Sequence, residues 1–275
     1  MSRFERDTAV DRLDVGRYRG TVDPGWAVLD GAAPNGGYLM ALAARAMRDP
    51  IEQPDPVTLT AHFLAPPQTG EVQVDVEVVR RGRRHSTVAA TIVQGERQCL
   101  RLLGTFADLA TAAGPNHLTR PPLPLPPPEA CVDTTSLGFE RAGKGGHPVP
   151  PIHERFEHRQ PESYLGWTAG RPTGRGENGG YARWRDGAPM DTLGVLVVAD
   201  CYPPAVFDLE GAPVGWVPTL ELTVQFRRRP EPDGYLASRF TTTAVTDGYL
   251  EEDGDIRTAD GSLVALSRQL ALAAR

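Results

Sequence analysis

The strongest constraint on this chain is that its second half repeats its first. Asp30-Gly31-Ala32 recurs as Asp186-Gly187-Ala188, 156 positions on, and the same diagonal lays Leu39-Met40-Ala41-Leu42-Ala43 over Val195-Leu196-Val197-Val198-Ala199. Leu59-Thr60-Ala61-His62-Phe63 matches Leu222-Thr223-Val224-Gln225-Phe226 at an offset of 163, and Pro67 then falls on Pro230. The change of offset assigns seven extra residues to the second copy, most simply within Phe207 to Trp216. Such a repeat predicts one supersecondary unit used twice, each copy completing the core of the other.

Between the copies lies a stretch rich in proline and glycine, including Pro121-Pro122-Leu123-Pro124-Leu125-Pro126-Pro127-Pro128. Proline has no backbone donor, so this stretch is predicted to be extended and outside regular pairing. It fits a semi-rigid linker or, alternatively, a peptide-like recognition segment. The expected organisation is a first unit over 1–113, a linker over 114–151 and a second unit over 152–275.

Each copy reads as a short strand, a helix and several long strands. Asn35 to Arg48 carries Leu39, Leu42, Ala43 and Ala46 at helical spacing, with Asn35 as N-cap. Met190 to Val206 is apolar nearly all round, the pattern of a helix buried on every side. Val72, Val74, Val76 and Val78 alternate with Glu71, Gln73, Asp75 and Glu77, which predicts a half-buried antiparallel strand. Further strands are expected at Val57–Leu64, Ser86–Val93 and Leu100–Leu109, then at Thr219–Arg227, Tyr235–Val245 and Ser262–Leu270.

The net charge of −6 gives no global basic field for nucleic acid or an anionic membrane. The longest apolar stretch, Leu193 to Ala199, is far short of the roughly 20 residues that span a bilayer. The charged start lacks the apolar core of a secretory signal, and three widely spaced cysteines do not form a disulfide framework, so the cytoplasm is the expected location.

Asp200 is the position that most needs a reason. It follows Leu193, Leu196 and Val197 on one helical face, where an ionised carboxylate is costly without partners and opposes the helix dipole. The first copy has Ala44 there. Either Asp200 carries function or it caps a break before Pro203-Pro204. Gln269 interrupts the final apolar strand on the face of Ala265, Ser267 and Ala271. Thr219 opens a strand where the register puts Pro56 in the first copy, and its polar alternation partners Glu221 and Gln225 leave its facing open.

The motifs Asp30-Gly31, Gly36-Gly37-Tyr38, Phe63-Leu64, Pro66-Pro67 and Arg81-Gly82-Arg83 resemble the acyl-CoA thioesterase II family. So do Val198-Ala199-Asp200, Pro218-Thr219-Leu220-Glu221-Leu222 and Gly261-Ser262-Leu263-Val264-Ala265 leading to Gln269. The likeness covers nearly all of the chain outside the linker. It implies an α+β double hot-dog fold, in which each repeat wraps an antiparallel sheet around one long helix. It also implies hydrolysis of acyl-CoA without metal or cofactor, and a homodimer or higher homo-oligomer. The family's water-orienting aspartate, threonine and glutamine map onto Asp200, Thr219 and Gln269. With Ala44 and Pro56 in the first copy, one site per chain is expected. By analogy with hot-dog enzymes, Gly36 or Gly37 would supply an oxyanion donor from the helix start, although the same glycines also suit close helix packing. Arg81, Arg83 and Arg228, within two basic clusters, are candidates for coenzyme A phosphates; solvated strand-end charges are the alternative.

Other motifs fail their context. Gly174 to Gly179 matches a dinucleotide fingerprint but leads into a strand-like Tyr181 to Trp184. Gly138 to Lys144 approaches a phosphate loop but lacks the Ser or Thr. No Gly-x-Ser-x-Gly elbow is present, and the six histidines show no metal-ligand spacing. Cys201 has no activating neighbour in the pattern and reads as a small buried residue. Two rivals share the scaffold: a catalytically silent acyl-CoA or lipid binder, and an enoyl-CoA hydratase, whose chemistry calls for a histidine beside the aspartate.

Overall fold

The computed structural model describes residues 1–28, 33–134, 150–212 and 215–273. Asp30-Gly31-Ala32 and the Gly138–Lys144 segment lie outside them. The alternating valines form the strand Gly70–Arg80, with Val72 and Val74 buried. Neighbouring strands Asp55–Phe63, Ser86–Gln94 and Arg97–Ala107 fall within a few residues of the sequence expectation.

Among the described residues, fourteen strands form one sheet, and its pairings are antiparallel. From the first edge its order is Val10–Asp14, Arg17–Val22, Gly70–Arg80, Ser86–Gln94, Arg97–Ala107 and Asp55–Phe63. The second half then repeats this order in mirror sequence: Thr219–Phe226, Leu263–Leu272, Tyr249–Thr258, Leu236–Thr241, Glu177–Trp184 and Phe156–Gln160. Val132–Asp133 adds a short strand beyond it, so two residues in the middle of the expected 114–151 linker pair with the second half. The chain has the double hot-dog α+β fold.

The seam between halves demonstrates the repeat. Thr60 pairs with Thr223, its own counterpart at an offset of 163, and their hydroxyls lie 2.8 Å apart. On either side Leu59 faces Val224 and Ala61 faces Leu222, so the same residues meet in exchanged roles. This is a pseudo-twofold contact inside one chain, equivalent to the isologous interface of a dimer.

Among the described residues, two helices run inside the wrap. The first, Gly36–Arg48, starts at the expected N-cap, Asn35, whose Oδ1 accepts from the Tyr38 amide at 2.9 Å. The second is shorter than the expected 190–206: it spans Thr192–Val198, capped by Asp191, and every residue in it is buried. Pro203 and Pro204 lack amides and push the preceding backbone out of the helical region, so the chain leaves the helix early. It resumes only as a 3-10 turn at Ala205–Asp208. The helices cross closely because Gly37 has no side chain; a Cβ there would sit 2.2 Å from the Leu196 carbonyl oxygen. Leu42, Leu193, Leu196 and Val197 are fully excluded from water, each contributing about 1.5–3 kcal/mol by burial.

In the second half of the sheet one expectation needs correction, and one strand is unforeseen. The strand expected at 235–245 is interrupted, forming Leu236–Thr241 and a separate Val245–Thr246. Tyr249–Thr258 is a ten-residue strand at the centre of the half-sheet that alternation does not reveal. Its inward positions include Glu252 and Gly254 between the apolar Leu250 and Ile256.

Candidate active site

Asp200 lies just past the second helix, its amide bonded to the Val197 carbonyl at 3.0 Å. Its carboxylate turns toward the start of the first helix. Oδ2 accepts from Asn35 Nδ2 at 2.9 Å and from the Gly37 amide at 3.0 Å. The same Asn35 amide also donates to the Asp200 main-chain carbonyl at 2.6 Å. Burial pushes the Asp200 carboxyl up to about 6, against the opposing pull of the Gly37 and Gly36 amides. A base of that strength is ionised at neutral pH and remains a better proton acceptor than an ordinary aspartate.

The helix start therefore serves the acid directly. Gly37 meets the packing reading, since its missing Cβ permits the helix crossing, while its amide is taken up by the Asp200 carboxylate and is not free for the oxyanion role expected of it. Gly36 is confined as well; a Cβ there would meet the Phe63 ring at 2.6 Å and Asp200 Oδ2 at 3.0 Å. Asn35 is the residue whose role the sequence understated. Its capping geometry was legible, but its second hydrogen-bonding arm reaches across 165 positions of chain.

Gln269 and Thr219 meet on the adjoining sheet, where Gln269 Nε2 donates to Thr219 Oγ1 at 2.8 Å. Simple alternation from Leu222, Val224 and Phe226 would turn Thr219 outward. A bulge between Thr219 and Glu221 resets the register and brings it to the inner face with Gln269. Because Thr219 Oγ1 accepts from Gln269, its own hydroxyl proton is free to donate elsewhere.

The link from this pair to Asp200 passes through Glu252. Glu252 lies directly across the ladder from Gln269, and its Oε2 accepts from the Ala205 amide at 2.6 Å, in the turn that follows Asp200. Phe63 gives a second link, since its ring touches the Gly36–Asp200 corner and its strand pairs with Thr219–Phe226. All three expected residues are thus drawn toward one end of the seam.

Arg81, Arg83 and Arg228 are exposed and lie toward the other end. Gln53 bonds the Gly82 and Arg83 carbonyls there, and Arg229, next to Arg228, pairs with Asp55 at 2.9 Å. The strand Thr219–Phe226, eight residues and about 23 Å long at roughly 3.3 Å per residue, separates Thr219 from the Arg228 cluster. Cys201, in turn, does have a histidine beside it: His158 Nε2 is 3.6 Å from the thiol. The sequence pattern missed it because 43 residues intervene. Both groups are buried, and burial drives the thiol well up and the imidazole well down, so both are neutral at pH 7. Among the described residues, no helix is long and apolar enough to cross a membrane.

On this double hot-dog frame a buried carboxylate is bound by the helix start of the other repeat, and the turn that follows it is tied through Glu252 to the strand beside Gln269. Residues 128–273 match the acyl-CoA thioesterase C-terminal domain and residues 22–107 the acyl-CoA thioesterase N-terminal domain. The chain belongs to the acyl-CoA thioesterase family. A provisionally named thioesterase II from Thermobifida fusca YX shares 33% identity over 100% of this chain and 98% of its own, with a TM-score of 0.86. A conserved hot-dog protein of unknown function from Alicyclobacillus acidocaldarius superposes at TM-score 0.81 with 19% identity, covering 100% and 99% of the two chains. The thioesterase-like protein TwmA of Talaromyces wortmannii is 25% identical, over 98% of this chain and 91% of its own.

Proposed function

We propose that the protein hydrolyses an acyl-CoA thioester to the free carboxylic acid and coenzyme A by direct attack of water. Asp200 takes the water's proton, with its Oδ2 held by Asn35 and Gly37. Thr219 and Gln269 orient the water or the carboxylate. The developing oxyanion needs a donor; the Gly37 amide is engaged by Asp200 and the Gly36 amide also pulls on that carboxylate, so a Gly36 contact to the oxyanion would require its amide to turn from Asp200 to the substrate. The acyl chain would lie along the apolar interior beside the second helix.

The observation that carries this reading is the asymmetry between repeats. Ladder positions give the counterparts: Leu59 faces Gly104 as Leu222 faces Gln269, so Gly104 replaces Gln269 in the first half. Ala44 and Pro56 replace Asp200 and Thr219. A purely structural role would not confine all three polar residues to one half of a symmetric frame. The proximity of His158 gives no support to a hydratase, since its Nε2 is directed at the buried Cys201 thiol.

A panel of acyl-CoAs followed by thiol release, with wild type and Asp200→Asn, tests the proposal. Turnover is expected in wild type and a loss of about 100-fold or more in the variant. Binding of acyl-CoA without thiol release would instead assign the protein as a silent binder.

A further inference from the structure

We propose that Glu252 is a fourth member of this site, a positioning residue whose carboxyl group fastens the Asp200-bearing turn to the sheet beside Gln269. The inference rests on the hydrolytic reading above and adds a residue that it does not use.

The first observation is again a broken symmetry. Val88 faces Gly104 across the ladder as Glu252 faces Gln269, so the first half fills this position with a fully buried valine. A buried acid stands where the first half has an aliphatic side chain, at one of the two inward positions directly opposite Gln269, the other being Leu222. In a ladder, such neighbours have Cβ atoms about 4.5–5.5 Å apart, so the two side chains share one space.

The second observation is what the carboxyl group holds. After the first helix the chain takes a short path, residues 49–54, to its strand. After the second helix it takes the longer path that carries Asp200, Pro203-Pro204 and the turn Ala205–Asp208. That path is held at several points, among them Asn35 on the Asp200 carbonyl and Thr173 on the Asp208 carboxylate, and two further pins lie between these. Asn178 Nδ2 donates to the Pro203 carbonyl at 2.6 Å, and the Ala205 amide donates to Glu252 Oε2 at 2.6 Å. The second pin joins the turn to the strand that flanks Gln269, so it sets the distance from the base to the water-orienting pair. Burial pushes the Glu252 carboxyl up to about 7, the Ala205 amide opposes this, and the negative charge of Asp200 adds to the rise. The two acids thus sense one another. A displaced turn would move Asp200 relative to Gln269, and errors near 1 Å in such geometry lower rates by about 100-fold.

The test compares Glu252→Val, which installs the first-half residue, with Glu252→Gln, which keeps an acceptor for the Ala205 amide. Three readouts are taken: kcat and KM for thiol release, hydrogen exchange of the Ala205 amide, and the melting temperature. For Glu252→Val we expect kcat to fall about 10- to 100-fold with KM within about threefold. Exchange at Ala205 should rise about tenfold while the central strands stay protected. Glu252→Gln should restore most of both. Wild-type kcat and Ala205 protection in Glu252→Val would overturn the inference. So would a uniform rise in exchange across the sheet, which marks a stability role alone. If wild type released no thiol from any substrate while Asp200→Asn bound acyl-CoA normally, the hydrolytic reading would fail by itself. The exchange comparison would still decide whether Glu252 fixes the turn.

Discussion

The two halves of this protein share a frame and differ in what they place at its two equivalent corners. At the second-half corner, Asp200 meets Asn35 and Gly37, with Glu252, Gln269 and Thr219 on the sheet beside it. At the first-half corner, Ala44, Val88 and Gly104 occupy the matching inner positions, and a Cβ on Gly104 would strike Leu59 at 2.6 Å. The helix start there is capped by Asp191, which faces Arg45 at 3.7 Å. Nearby, buried Asp55 accepts from Thr192, from Arg229 and from the Leu109 amide. One corner keeps an acid with donors arranged around it and a neighbouring glutamine–threonine pair. The other neutralises its charges internally and fills the remaining space with hydrocarbon. Among the described residues the two equivalent corners thus differ in kind, with an acid held by helix-start donors at one and an internally paired acid at the other.

Substitutions that make one corner like the other should show this division, beginning with the largest effect. Asp200→Ala copies Ala44 and should lower kcat by about 100- to 10,000-fold in a thiol-release assay; a fall of less than threefold would remove Asp200 from the chemistry. In wild type, kcat should drop as pH falls through about 6, where Asp200 takes up its proton. The stability effect has the opposite sign. Between about pH 4 and 6 the folded chain binds a proton that the unfolded chain has released, so this group's contribution to stability declines as pH rises through that window. Gln269→Gly copies Gly104 and should lower turnover by roughly 10- to 1000-fold. An unchanged rate would separate the glutamine from the site.

The inert corner should respond in stability instead. Asp55→Ala removes a buried acceptor for three donors and should cost about 1–3 kcal/mol in denaturant unfolding, with kcat per folded molecule unchanged. A large fall in kcat would mean that both corners take part. The smallest shift is expected from Asn35→Ala. Losing the cap should cost about 1 kcal/mol of stability. Losing a donor to ionised Asp200 should also move the acidic limb of the pH–rate profile upward, whereas an unmoved limb would show that Asn35 only caps the helix.

Much of this was written in the sequence. The repeat, the valine alternation at 72–78 and the capped first helix depend on local periodicity and on self-comparison, and neither requires knowledge of folding. Asp200 and Gln269 stood out because each interrupts an apolar pattern that its neighbours obey. What stayed hidden depended on distant partners. The strand carrying Glu252 escaped notice because its inward residues include a glutamate and a glycine, so alternation cannot mark its buried face. Thr219 turns inward through a bulge fixed by its pairing with the final strand. The second arm of Asn35 and the nearness of His158 to Cys201 depend on contacts across 165 and 43 positions. Periodicity fixes which side of an element is buried, since it reports the cost of exposing hydrocarbon. Which polar groups meet inside is decided only when the two halves close on one another, because a hydrogen bond has a length and a direction that a one-dimensional pattern does not carry.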